Sequence, residues 1–473
     1  MTTIIGIILF VMQLLGIISS VNALMTTRTS QGTIAWIISL NTFPLAAVPA
    51  YWIFGRTKFH GYVTAKQRVA AETDARIQPF IDTVTPYIVR PTDEQHAALA
   101  GQRLAKMPYL RGNAVELLID GDATFNSILT GIDAAEEYVL VQFYIVHDDD
   151  LGYKLKKHLI AKARQNIRIW FLYDEIGSHT LSASYLRDLR NAGIEVNSFH
   201  STRGKQNRFQ INFRNHRKIV VTDGTAAWVG GHNVGDEYLG KDPKFGHWRD
   251  THMKITGPAA LELQLSFAED WHWATNEIIS FTGKPITGNN GDATVLILPS
   301  GPADRLETAS LMFQEAIHSA HKRIWITSPY FVPDESVISA LHLAALRGVD
   351  VRVLIPDKAD KLLIYYSAYA FAGELLQSGI KILRYTLGFL HEKVFLIDDV
   401  LAGVGTANFD SRSFRLNFEV TALVIDDVFV KEIEAMFLKD FSNSRPMTIE
   451  EVNGKSFLFK MLSRASYLSA PIQ

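Results

Sequence analysis

The apolar positions divide the chain into an N-terminal zone of unbroken runs and a longer zone where short runs alternate in period. Residues 4–24 (IIGIILFVMQLLGIISSVNAL) carry no charge over about 20 positions, long enough to span a bilayer. A second uncharged run covers residues 33–55 (TIAWIISLNTFPLAAVPAYWIFG), in which Pro44 and Pro49 predict kinks. Trp36, Tyr51 and Trp52 sit near its ends, where interfacial aromatics belong. Residues 1–56 therefore predict a transmembrane hairpin. Residues 57–105 are polar and mostly helical in pattern, punctuated by Pro79, Pro86 and Pro91, and read as a juxtamembrane linker along or against the following domain.

From residue 106 onward one order of elements occurs twice. The first pass predicts helix 122–134, strand 138–145, helix 151–165, strand 167–173, helix 184–191 and strand 194–199. Strands 219–222 and 251–256 and helix 259–271 complete it. The second pass predicts helix 306–320, strand 324–329, helix 336–346, strand 349–355, helix 362–376 and strand 380–384. Strands 394–397 and 420–426 and helix 429–441 follow. The stretches RNAGIEV and LQSGIKI share a turn, a helix stopped at Gly193 or Gly379 and then a strand. Continuous apolar strands alternating with helices predict an α/β fold of two pseudo-symmetric lobes, residues 106–285 and 286–445. Their sheets are expected to be mixed, mainly parallel and flanked by helices. In the tail, residues 446–473, Phe457, Leu458, Phe459 and Leu462 interleave with Lys455, Lys460 and Arg464. That pattern suits an amphipathic segment on an anionic membrane and equally a helix packed on the domain.

Composition changes this picture in three ways. With 47% hydrophobic and 20% charged residues among 473, disorder is not the default, and the mean hydropathy of +0.06 owes its excess to the N-terminus. A net charge of -2 supplies no basic field for nucleic acid. The absence of cysteine excludes disulfides, thiolate nucleophiles and Cys-based zinc sites. The first run lacks the positive n-region of a signal peptide and exceeds the usual h-region length. Arg28 is the one cation in residues 25–32, whereas Arg56, Lys58, Lys66 and Arg68 follow the second run. The positive-inside bias then places the lobes and both termini in the cytoplasm.

The chemistry concentrates in two signatures, N-H-R-K-I-V-V-T-D (residues 215–223) and L-H-E-K-V-F-L-I-D (residues 390–398). His216 and Lys218, like His391 and Lys393, share one side of an extended segment, and Asp223 and Asp398 close the two patterns. A lone copy is a weak pattern; two at matching places in a repeat are not. Six residues after each Asp comes Gly230-Gly231-His232-Asn233 or Gly405-Thr406-Ala407-Asn408, so Asn233 and Asn408 match. Acidic candidates follow immediately before strands, Asp250 in HWRDTH and Glu419 in LNFEVT. Lysines and amides neutralise a phosphodiester, and a neutral imidazole attacks phosphorus while a protonated one serves the leaving oxygen. A close pair of imidazoles should settle with one charged. Each needs a carboxylate on its far nitrogen, for which Asp250 and Glu419 are the candidates.

These paired signatures resemble the phospholipase D superfamily over residues 107–445. Two apolar runs before the repeat, with WRD at 248–250, SPYFVPD at 328–334 and NFDSRSFRLNFE at 408–419, look like bacterial cardiolipin synthases. The resemblance implies a phosphatidyltransferase of the bacterial inner membrane that joins two phosphatidylglycerol molecules into cardiolipin, releasing glycerol, without metal or cofactor. It implies that His216 is the nucleophile and His391 the acid, an order the residues alone leave open. Asp223 and Asp398 belong to its catalytic signature, in a role nearer to tying the lobes together. Gly231 departs from the usual Ser, which would remove a hydroxyl available to phosphate. Arg203, Lys205, Arg208, Arg214 and Arg217 are expected to draw in anionic headgroups. A lipid hydrolase using the same intermediate, and a non-catalytic membrane scaffold, are the alternatives; phosphatidylethanolamine remains open as second substrate.

Overall fold

A computed structural model describes residues 2–27, 29–55, 59, 62, 81–90, 96–199, 212–281, 291–358 and 360–470. The repeat is realised strand for strand. One sheet runs Glu195–Phe199, Arg168–Asp174, Tyr138–Phe143, Ile219–Thr222, Ala226–Gly230, Thr251–Thr256 and Tyr109–Ile119. The other runs Lys381–Tyr385, Asp350–Pro356, Arg323–Thr327, Val394–Ile397, Leu401–Gly405, Asn417–Ile425 and Ala293–Ser300. The long strand Tyr109–Ile119 joins them, pairing Thr251–Thr256 with its C-terminal half and Ala293–Ser300 with its N-terminal half.

Only the first three strands of each series are parallel. The rest are antiparallel, a smaller parallel share than their apolar runs predict. Too few residues separate Ile219–Thr222 from Ala226–Gly230, or Val394–Ile397 from Leu401–Gly405, to hold the crossover a parallel pair requires. Strands such as Tyr138–Phe143 and Val394–Ile397 are buried throughout, which explains why they read as unbroken apolar runs.

Asp223 and Asp398 form the turns of these hairpins. Both have left-handed backbone, at φ 53° and 50°, which Asp tolerates better than most residues. Asp223 accepts the backbone N–H groups of Glu136, Glu137 and Tyr138, each at 2.8 Å. Asp398 accepts those of His321, Lys322 and Arg323 at 3.0, 2.7 and 2.9 Å. Each carboxylate thus fastens a helix-to-strand turn within its own lobe, and it does not tie one lobe to the other.

Near the N-terminus the helix Thr2–Thr26 is, among the described residues, the one helix long and apolar enough to cross a membrane. The second apolar run is not a single kinked span. It divides into Ser30–Thr42 and Pro44–Phe54, because Phe43 precedes a proline and is steered out of the helical region, at φ -132° and ψ 57°. Pro49 lies inside the latter helix. The helices meet along Gly16, Ser19, Ser20 and Ala23, where a Cβ on Gly16 would approach Leu40 O to 2.3 Å. Tyr51 donates to Asn22 at 2.7 Å, Trp52 to Ser19 at 3.0 Å and Asn41 to Ser20 at 2.8 Å. Small residues plus side-chain hydrogen bonds are how apolar helices associate where water offers no drive.

Most of the linker lies outside the described residues, but Phe59 and Tyr62 are buried between the lobes, against Phe213, Trp273 and Phe418. In the tail, the helix Phe457–Tyr467 packs on the helix Leu362–Gln377 through Phe459 and Tyr467. It leaves Phe457, Leu458 and Met461 exposed.

Candidate active site

The two signatures meet across the lobe boundary, and each borrows backbone from the other half. Arg214–Asn215 pairs in parallel with Asn417 and Phe418, after which His216 N–H donates to Phe418 O at 2.9 Å. Gly388–Leu390 pairs likewise with His247–Arg249, and His391 N–H donates to Arg249 O at 2.8 Å. The residue following each acceptor is the carboxylate. His216 Nδ1 therefore faces Glu419 Oε2 at 2.9 Å, and His391 Nδ1 faces Asp250 Oδ2 at 2.7 Å. Both carboxylates are fully buried. Every imidazole is thus oriented by the opposite lobe, which assigns its proton to Nδ1 and leaves the Nε2 lone pair for chemistry.

The lysines complete a compact cationic cluster. Lys218 Nζ donates to His216 O at 2.6 Å, and Lys393 Nζ donates to His391 O. Burial lowers Lys218 to about 7, and it lowers Lys393 to about 8. Burial also brings His216 down to about 4, against the pull of Glu419, and holds His391 well below its usual value with the help of Lys393 and Lys218. Both imidazoles are therefore neutral, contrary to the expectation of one neutral and one charged. Tyr144 lies edge-on to His216 at 5.0 Å, and Trp248 and Tyr330 flank His391 at 5.1 and 6.4 Å.

Asn233 and Asn408 are both buried, in unequal states. Asn233 Oδ1 accepts the Ile145 N–H at 3.1 Å, while its Nδ2 donates to Tyr238 at 3.4 Å. Asn408 Oδ1 is buried with no hydrogen-bond partner among the described residues. Asp223 and Asp398 are not at this centre. They end the strands that begin beside Lys218 and Lys393, about 16 Å of extended chain away. Asp223→Ala is expected to lower stability by about 2–4 kcal/mol, because three N–H groups lose their acceptor. Thermal unfolding of the purified chain reads this, while the rate per folded molecule should change little.

Position 231 has a different partner from the one expected of it. In the second half Thr406 Oγ1 donates to Glu419 Oε2 at 2.6 Å, and Asn417 Nδ2 donates to Oε1 at 3.1 Å. At Gly231 a Cβ would lie 2.0 Å from Asp250 Oδ1, which instead accepts the Thr251 N–H at 2.8 Å. The side chain here faces the orienting carboxylate, so Gly231 removes support from Asp250 and not a contact to phosphate.

Sequence reasoning missed the residue between His and Lys in each signature. Arg217 was expected to attract headgroups, yet it is buried and donates to both oxygens of Asp270 at 3.0 Å and to Glu419 O at 3.0 Å. Tyr62 adds a hydrogen bond to Asp270 at 2.8 Å. In the second half Glu392 takes the place of Arg217, so the cation comes from the other lobe. Arg249 bridges Glu392 and Asp440 at 2.7 Å each, and donates to Asp250 O at 3.0 Å. Asp270 and Asp440 occupy matching helices, Ala260–Thr275 and Asp427–Ser442. The acidic residue in AEDW and LKDF was the available signal. Arg214 is half-buried, and Arg203, Lys205 and Arg208 lie outside the described residues.

Comparison with known proteins shows the family. The family described as cardiolipin synthase, PLD-like domain, matches residues 128–271 and 313–441, one stretch in each lobe. Cardiolipin synthase A of Pseudomonas putida is 46% identical over 473 residues, covering 99% of this chain and 98% of that protein. Its counterpart in Pseudomonas fluorescens (strain SBW25) is 45% identical, covering 98% and 97%. Among solved structures, phosphatidylserine synthase of Haemophilus influenzae Rd KW20 superposes with a TM-score of 0.61 at 14% identity, over 80% of this chain and all of that one, a likeness of fold. The chain therefore belongs to the cardiolipin synthase family of phospholipase D-like proteins.

Proposed function

We propose that this chain transfers a phosphatidyl group from one phosphatidylglycerol to another, giving cardiolipin and glycerol. The observation that carries the reading is the crossed pair His216–Glu419 and His391–Asp250, with Lys218 and Lys393 beside it. His216 Nε2 attacks phosphorus, forming a P–N bond as the P–O bond to glycerol breaks. His391 delivers the proton that the leaving oxygen takes up. The terminal hydroxyl of the second lipid then returns that proton to His391 while its oxygen attacks phosphorus and the P–N bond breaks. The incoming phosphate supplies the negative charge that offsets the two lysines and lets His391 hold a proton. Asn233 and Asn408 add neutral contacts to the phosphoryl oxygens. Glu419 and Asp250 hold the rings in place and stabilise the charge that develops on them. Residues 1–56 form the membrane anchor, residues 106–285 and 286–445 the lobes, and the lobes face the cytoplasm.

The purified full-length chain in phosphatidylglycerol vesicles, with products separated by mass spectrometry, tests this reading. Cardiolipin and glycerol in equal amounts are expected, and phosphatidic acid as sole lipid product would replace the transferase with a hydrolase. The pH dependence of kcat/KM follows from the free site. His216 must be neutral, so the acid limb falls near its value of about 4. On the alkaline side His391, held well below its usual value, must gain its proton, and the lysines must be charged, a charge lost as pH rises through about 7 to 8. Initial rates across this range should show that alkaline fall, and a limb near 10.5 would contradict it.

A further inference from the structure

Beside Tyr330 the second lobe carries an open groove lined by Pro329, Phe331, Ile364, Tyr365, Ala368 and Met447. Its walls are mostly apolar, while Lys358 and Lys361 stand exposed at its rim. Tyr330 connects it to the reacting centre. The ring lies 6.4 Å from that of His391, its hydroxyl donates to Asp360 at the rim, and Lys361 Nζ sits 4.8 Å above it. Arg384 also borders the groove but is committed to Asp357 and Glu451.

The mouth is greasy. Phe459 meets Tyr365, Tyr366 and Tyr369 while Tyr467 meets Phe371, so the helices Phe457–Tyr467 and Leu362–Gln377 begin at the same end. Leu362 and Phe457, 70% and 83% exposed, share that end with Leu363 and Leu458. Exposed apolar side chains beside exposed lysines match an anionic bilayer surface.

We infer that the acceptor phospholipid lies with its acyl-glycerol part along this groove and the apolar helix ends at its mouth, with Lys358 and Lys361 receiving its phosphate. This rests on the proposed reaction with His216 as nucleophile. Attack by His216 expels the leaving oxygen on the opposite side of phosphorus, toward His391, and the acceptor hydroxyl must enter where that oxygen left. A lipid seated beside Tyr330 places its headgroup there and occupies the path water would take.

Two variants separate this role from a structural one, neither of them in the reacting cluster: Ala368→Phe to fill the groove and Lys361→Glu to reverse the rim charge. The full chain in phosphatidylglycerol vesicles is followed by glycerol release, which reports the first step, and by the cardiolipin to phosphatidic acid ratio, which reports the second. Glycerol release should persist, while the ratio falls about tenfold in each variant as water replaces the lipid acceptor. Transfer to a water-soluble primary alcohol, which bypasses the groove, should be retained. Glycerol release and cardiolipin falling in step, or a ratio unchanged in both variants, would overturn the assignment. A wild-type chain yielding only phosphatidic acid would instead overturn the transferase reading.

Discussion

Alanine at His216 or at His391 should reduce cardiolipin formation by about 10,000-fold or more, the scale at which removing a nucleophile or its proton-transfer partner disables a covalent mechanism. The two changes act at different points. His216→Ala leaves phosphorus without an attacking nitrogen, so glycerol release should stop. His391→Ala leaves the attacking ring in place and Glu419 still bound to it, but the departing and incoming oxygens lose their proton carrier. Because both residues serve one reaction centre, the double variant should be little worse than either single one. Product formation measured from radiolabelled phosphatidylglycerol reads all three, and a multiplicative loss in the double variant would mean that the two residues act independently of each other.

Glu419→Gln and Asp250→Asn should each lower kcat on the order of 1,000-fold with KM nearly unchanged, since neither carboxylate is placed to hold lipid. The expected magnitude reflects the loss of a negative charge behind a ring that becomes positive during reaction. The crossing gives the prediction its edge: a change in the second lobe disables the histidine of the first. Glu419 is supported by Thr406, Asn417 and the His216 ring, so its amide would have to reorient at least one of three contacts. Asp250 has the Thr251 N–H and the His391 ring, with glycine where Thr406 would correspond. Steady-state kinetics of both variants check this, and a tenfold rise in KM with kcat intact would relocate the carboxylates to substrate binding.

Much of this centre was legible because it is written twice. Two copies of His-x-Lys and a carboxylate after each identified the side chains that the structure pairs. Local spacing carried no information on which carboxylate serves which histidine, because that depends on the pairing of Asn215 with Phe418 and of Leu390 with Arg249, each across some 140 to 200 residues. The same holds for Arg249, whose partners Glu392 and Asp440 lie in the other lobe. Asp223 and Asp398 misled for another reason. Their place in the signature is as regular as that of the histidines, yet they recur because a left-handed turn must be fastened to three backbone donors. The division at Phe43 was also readable, since the residue before a proline avoids the helix, but an uninterrupted apolar run outweighed it.

The central claim is that two half-sites make one centre that carries lipid on a histidine. The most direct measurement is mass spectrometry of the unaltered chain, quenched during turnover of phosphatidylglycerol under alkaline conditions that preserve phosphohistidine, and digested. The account predicts a phosphatidyl adduct on the peptide containing His216, formed with release of glycerol and absent from the His216→Ala chain. A chain that turns lipid over with no adduct on any histidine would contradict it.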